Sequence, residues 1–396
     1  MERFREVARL ALLAVAAAVG SASVAAAQSG DAASLTVQDL TSGGPAAVLG
    51  QLAKLKAVAA AGKGKIAVLL PDTRSSARWA TEDAPGFAKA FQTMGLSPSD
   101  YIISNAQGSP ATQQTQAEQA ITQGASVILI ANLDSGSAAA IEANAKAQGV
   151  LSLDYDRLTL NGSAAYYVSF DGEAVGRLLG AGLVQGIKEL KVAKPQIYEL
   201  GGSPTDNNGT LFENGYDSVF NPLYASKAAT LVTRVRVPNW DNQVGETMFQ
   251  QAFQAHPEIN AVLAANDGMA QSAIAVLKNE KIPPNTVPIT GQDATLQGVQ
   301  NILAGYQWMT VYKPIYQQVA AAAVVAVYAR AQQTPPAGLL NGTVDAQSHK
   351  VPSVLLSAET VTKDNMQATV IADKFIDPAQ LCTGEFASIC AKTGIH

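Results

Sequence analysis

QIYELGGSPTDNNG, residues 196–209, reads as an apolar strand from Gln196 to Leu200 that ends in a glycine pair and then presents amide and carboxylate groups. Strand ends that carry polar groups are where open α/β sheets bind ligands. The layout recurs along the chain. LSLDYDR (151–157) ends in Asp156 and Arg157, AVLAAND (261–267) in Asn266 and Asp267, PITGQD (288–293) in Asp293, and WMTVYK (308–313) in Lys313. One cleft lined by strand tips and suited to a polyol accounts for all of them.

From Lys65 onward, short β-branched runs alternate with alanine-rich helical segments, the pattern of parallel sheets with crossover helices. Strands are expected at 66–70, 101–104, 126–131, 151–155, 167–170, 196–200, 231–237, 261–265, 288–291, 307–312 and 353–356. That is too many for one ordinary sheet. Helix punctuation agrees: Ser109 and Pro110 suit an N-cap and first turn of a helix running to Gln123, and Gly124 suits a left-handed C-cap. Met269, Ala273, Ile274 and Leu277 share one apolar face after Asp267. The most apolar helix, 315–331, is interrupted by Gln317, Gln318 and Arg330, so it reads as a core helix and not a membrane span.

The first 27 residues carry Arg3, Arg5 and Arg9, an apolar run from Leu10 to Val19, and Ala25, Ala26 and Ala27 before Gln28. That is the layout of a secretory signal peptide cleaved near Ala27, which predicts an exported, periplasmic protein. The formal net charge of −5 moves to about −6 once that segment is removed, which argues against a nucleic-acid partner. The remaining chain is long enough for two domains of ordinary size, and 47% apolar residues can fill two cores. Residues 28–64 are rich in small side chains, with Leu49, Leu52 and Leu55 hinting at a short helix; they are expected as a loosely attached arm.

Cys382 and Cys390 lie close together, and in an oxidising compartment a local disulfide is expected. A metal or redox pair would need a different spacing and neighbouring histidines. His256, His349 and His396 are scattered, so neither a metal nor a cofactor is expected.

Eight segments, DTRSSARW (72–79), DYDR (154–157), YYVSFDGEAVG (166–176), GGSPTDNN (201–208), NWD (239–241), AAND (264–267), ITGQDA (289–294) and MTVYKPI (309–315), resemble in order those of the periplasmic D-xylose-binding proteins, type I sugar-binding components of ABC importers. The resemblance covers Lys65 to about Asp377. It implies an α/β fold of two Rossmann-like parallel-sheet domains joined by a three-crossover hinge, with the sugar held between them. The first domain would comprise 65–171 plus 314–350 and the second 172–313 plus 351–377, leaving 378–396 as a tail. The family's sugar ligands fall on Arg78, Trp79, Asp156, Arg157, Asn208, Trp240, Asn266, Asp293 and Lys313. The implied partners are a monosaccharide, most of all D-xylose, an ABC membrane permease and, as a further role, a chemoreceptor.

Those residue types match a neutral sugar, whose hydroxyls both donate and accept. Ionised Asp156 and Asp293 only accept, Arg78, Arg157 and Lys313 only donate, and Asn208 and Asn266 do both. Trp79 and Trp240 would lie against the C–H faces of the ring. Other roles stay open at this point. Asp267 reads as the N-cap of the helix that follows and Asn266 as a ligand, although it too could cap. Asn208 could shape a turn, Asp156 and Arg157 could pair with each other, and Lys313 could simply pair with a carboxylate.

A secreted hydrolase on the same scaffold would need a G-x-S-x-G elbow with a histidine base, and neither is present. Asp156 and Asp293 could be compared with glycosidase carboxylates, but the surrounding cations should keep both ionised and leave no general acid. A sugar-responsive repressor would carry an N-terminal helix-turn-helix where this chain has its leader. Glucose, arabinose and ribose remain alternatives to xylose.

Overall fold

A computed structural model describes residues 35–395. The expected leader and its cleavage point lie outside the described residues. Twelve strands follow in chain order: β1 (Lys65–Leu70), β2 (Tyr101–Asn105), β3 (Ala125–Ile130), β4 (Leu151–Tyr155), β5 (Tyr166–Phe170), β6 (Gln196–Gly201), β7 (Thr230–Arg236), β8 (Ala261–Ala264), β9 (Thr310–Tyr312), β10 (Gly342–Asp345), β11 (Lys350–Leu356) and β12 (Glu359–Val361).

The first lobe is built on a sheet ordered β2-β1-β3-β4-β5-β11-β10, parallel except for the last pair. The second lobe holds the parallel trio β7-β6-β8 and the antiparallel pair β9-β12. Between them, residues 288–292 join by single bridges, Val262 to Ile289 and Gln292 to Val311. The strand expected at 288–291 is therefore only a bridging segment, because Pro288 has no N–H to give and Gly291 brings no side chain to pack.

The chain passes between the lobes three times: after β5, after β9 and after β11. The third passage corrects the expected boundary. Residues 353–356 of β11 pair with β5 in the first lobe, so the return to the second lobe comes after Leu356 and not at Val351. β10 and β12 were not expected. β10 alternates half-buried and exposed residues and β12 has three residues, patterns too weak or too short to register as strands.

The helix Ile315–Arg330 is buried along almost its whole length, and its three polar interruptions are each matched. Gln318 reaches Arg78 and Asp156, Gln317 Nε2 donates to the Thr41 carbonyl, and Arg330 donates to the carbonyls of Gly64 and Ala59. Among the described residues no helix is long and apolar enough to cross a membrane.

The arm is not loose. Its helices, Val37–Thr41, Gly44–Leu52 and Lys56–Ala61, with a 3-10 turn Ala53–Leu55 between the last two, bury Leu40, Leu52 and Leu55 in the main core, and a Thr36–Asp39 capping box starts the first of them. Nor does the C-terminal segment stand apart. Cys382 and Cys390 are disulfide-bonded, and Leu381, Cys390 and Ile395 pack with Ile302, Leu303 and Met366 of the second lobe.

Candidate functional site

All nine residues singled out from the sequence border one small cavity between the lobes, with about 30 Å³ of room. Each arrives there for a local reason. A π-helical turn, Trp79–Asp83, widens the start of the helix Ala84–Thr93 and leaves Arg78 and Trp79 at its mouth, a common use of such turns. Arg78 donates twice to Asp83 (2.9 and 2.8 Å), once to Gln318 (2.8 Å) and once to Asp156 (2.8 Å). Of its five N–H groups, one on Nη1 remains for a ligand.

After β4 the chain makes a tight turn centred on Asp156 at φ 64°, closed by the Arg157 N–H donating to the Tyr155 carbonyl at 2.7 Å. Such a centre is strained for a non-glycine residue. It sends the two side chains apart. Asp156 turns to Arg78 (2.8 Å) and Arg157 to Asp206 (3.1 Å), so the two do not pair with each other. The Asp156 carbonyl, meanwhile, accepts from Tyr167 (2.9 Å) and Ser169 (2.8 Å).

In the second lobe, Asp206 caps the helix Asn207–Ala225 through the Asn208 N–H at 3.0 Å and accepts from Trp240 Nε1 at 2.9 Å. Asn208 stands in the first turn of that helix, its Nδ2 3.2 Å from both the Asp156 carboxylate and carbonyl. Trp240 is also left-handed, φ 55° after Asn239 at 56°. Its ring lies flat enough on Gly202 that a Cβ there would come within 2.1 Å of it.

Asn266 is the cap of the helix Asp267–Asn279, accepting from the Met269 N–H at 2.8 Å, while its Nδ2 crosses to the Ser75 carbonyl at 3.1 Å. The expectation that Asp267 caps is thereby corrected. Asp267 is the first helical residue, and its carboxylate turns inward to Thr295, Gln307 and Thr310, because Asn266 already occupies the capping position.

Lys313, at the second interlobe passage, stands 2.9 Å from Asp293 Oδ1. That oxygen has no aligned hydrogen bond, so it keeps accepting capacity; the other oxygen accepts from Ser76 at 2.8 Å. Burial alone would raise both carboxyls, but Arg78, Lys313 and Arg157 hold Asp156 well below the usual range, and Lys313 and Arg78 hold Asp293 below it too. Asp206 goes the other way: burial lifts it despite Arg157.

Sequence reasoning missed Asp206, Ser76 and Gln292, which border the same cavity. Asp206 lay inside the quoted stretch but was given no role, because its partners Arg157 and Trp240 are distant in sequence. Gln292 is 3% exposed and its Oε1 has no hydrogen-bond partner among the described residues. Trp79 is 2% exposed and the Arg78 and Arg157 guanidinium carbons lie 4.5 and 5.4 Å from its ring centre, within cation–π range. No group of three or more His, Cys, Asp or Glu among the described residues is placed to hold a metal ion.

The periplasmic binding protein domain model matches residues 66–333. The chain is 35% identical over 320 residues to the D-xylose-binding periplasmic protein of Escherichia coli K12, covering 80% of this chain and 92% of that protein. This chain belongs to the periplasmic D-xylose-binding protein family. The family's counterpart from Haemophilus influenzae is 33% identical over 314 residues, 78% of this chain and 90% of that one. Among solved structures, the carbohydrate transporter solute binding protein from Chloroflexus aurantiacus in complex with D-glucose superposes with a TM-score of 0.70 at 28% identity, covering 80% of this chain and 97% of that one. The fold is thus that of the type I periplasmic binding proteins, α/β with parallel sheets.

Proposed function

We propose that this protein captures an aldose monosaccharide, D-xylose first, between its two lobes in the periplasm and hands it to an ABC import permease. The observation that carries the proposal is the single cavity to which both lobes bring the nine residues, in a chain 35% identical to a D-xylose-binding periplasmic protein. Asp156, Asp293 and Gln292 accept from the sugar hydroxyls, Arg78, Arg157 and Lys313 donate to them, and Asn208 and Asn266 do both. Trp79 and Trp240 give the apolar faces of the ring their partners, and Trp79 also holds the two guanidinium groups in place.

Interlobe bonds between Asn208 and Asp156, Asn266 and the Ser75 carbonyl, and Ser76 and Asp293 join the groups that the sugar would bridge. Asp156 and Asp293 do not make a glycosidase pair: one carboxylic acid would have to stay protonated near neutral pH, whereas both are held below the usual range. Asp206, which burial lifts, is already committed as the acceptor for the Asn208 N–H, Trp240 and Arg157.

Titration calorimetry with D-xylose, D-glucose, L-arabinose and D-ribose tests this function, with D-xylose expected to bind most tightly. A Kd near 1 μM, about −8 kcal/mol, asks roughly −0.8 kcal/mol from each of some ten heavy atoms, which requires almost complete enclosure. A panel in which no aldose gives heat would sink the proposal. D-Glucose is the second reading, favoured by its presence in the Chloroflexus aurantiacus structure.

A further inference from the structure

Asp267 lies behind the sugar-facing side of the cleft, and its carboxylate is 3% exposed. Oδ2 accepts from the Thr295 N–H (2.8 Å) and hydroxyl (3.0 Å), and Oδ1 from the Thr310 hydroxyl (2.8 Å) and Gln307 Nε2 (2.7 Å). The two threonine oxygens do a second job. Thr310 Oγ1 accepts from the Ala294 N–H at 3.2 Å, and Thr295 Oγ1 from the Gly298 N–H at 3.0 Å. A hydroxyl can accept from the backbone in this way only while its own proton is directed elsewhere, and an ionised carboxylate supplies the acceptor for both. The segment so held is 293–298, where Asp293 and Ala294 take φ values of 92° and 48°, a conformation that persists only under outside constraint. Gly291 and Gly298 make the room: a Cβ at either would come within 2.2 Å of the Asp267 oxygens.

We infer that Asp267 is a positioning residue for ligand binding, holding the Asp293 carboxylate on the cavity through the hydroxyls of Thr295 and Thr310. The inference rests on the sugar-capture reading and extends it to a residue that has no place on the cavity wall. Burial pushes the Asp267 carboxyl up to about 7, and Asp293 adds to the rise. The charged groups around it are Asp293 with its partner Lys313, and Arg74 and Glu246, which line the cleft mouth that Asp267 also borders. Protonation removes an acceptor from a site whose four neighbours all donate. Sugar affinity therefore falls as pH drops through about 7. The same raised value works oppositely on folding: the folded state takes up the proton more readily than the unfolded one, so stability from this group declines as pH rises toward 7.

The test is the Kd of the aldose selected by the panel, measured from pH 6.0 to 8.5 for wild type and Asp267→Asn. The wild type should weaken on acidification, whereas Asp267→Asn should bind roughly tenfold more weakly at pH 8.5, the worth of one charge-assisted hydrogen bond, and show no such slope. Thr310→Val should reproduce the loss and Thr310→Ser should restore it, which keeps the test decisive if Asp267→Asn does not fold. Wild-type affinity in Asp267→Asn, or in Thr310→Val, would overturn the inference while leaving sugar capture standing. A wild type that binds no monosaccharide at any pH overturns both.

Discussion

Asp156 is the most heavily committed residue of the cleft. Its side chain meets Arg78, Gln318 and Asn208, and its carbonyl takes two further donors, Tyr167 and Ser169, besides the same Asn208 amide. Removing the carboxylate as Asp156→Ala leaves Arg78 paired with Asp83 alone and takes the acceptor from one of its buried N–H groups. The expected cost is about 1–3 kcal/mol of stability together with loss of sugar binding, read by urea unfolding and calorimetry. Asp293 separates the two effects better, since its Lys313 partner sits at the edge of the cavity. Asp293→Ala is expected to abolish binding while leaving a folded, cooperative melt. Both carboxyls are held below their ordinary value, so their contribution to stability is fully present above about pH 4, where the unfolded carboxyl is ionised, and is lost as pH falls toward the depressed folded values. Thermal melts at pH 4.0 and 2.5 should show that drop, and it should be smaller in Asp293→Asn.

At the scale of elements, the helices Gly172–Glu189 and Asn207–Ala225 cross with their backbones nearly touching. A Cβ at Gly176 would lie 2.1 Å from the Phe212 carbonyl oxygen, and one at Gly215 2.3 Å from that of Glu173. Gly176→Ala must push the second helix away, and that helix carries Asn208 in its first turn. A loss of roughly 1–3 kcal/mol from overpacking is expected, accompanied by weaker sugar binding; an unchanged Kd in the variant would show that the crossing does not set the position of Asn208.

The parallel strands were legible because each is a β-branched run followed by a polar tip, and those tips are where the site forms. That is why all nine expected residues meet at one cavity. What escaped were features without a local signature. β12 is three residues long and exists through pairing with β9, and the arm's small-residue composition gave no sign that Leu40, Leu52 and Leu55 had a core to enter. Asp267 was read as a helix cap and Asp206 was given no role; their partners lie 28 or more and 34 positions away, a distance that periodicity does not report.

At the scale of the whole molecule, the closed cleft admits nothing. Trp79 in the first lobe and Trp240 in the second are 2% and 4% exposed, so a ligand seated between them must enter while the lobes are apart. Hinge closure of this kind concentrates the φ/ψ change in a few residues, here at the three passages between lobes, and the free protein must populate an open form for exchange to occur. The chain has three tryptophans, two on the cleft and Trp308 packed over Gly186 in the second lobe. Acrylamide quenching of tryptophan emission should therefore fall when the aldose is added. The change should persist in Trp308→Phe, where only cleft indoles report, and shrink in Trp79→Phe or Trp240→Phe, which each remove one reporter. Trp240→Phe also measures the worth of the hydrogen bond to Asp206, because phenylalanine keeps an aromatic face while losing that donor. Quenching that does not respond to a sugar shown by calorimetry to bind would mean that the lobes stay together throughout, and that the ligand reaches its site by a route other than the hinge.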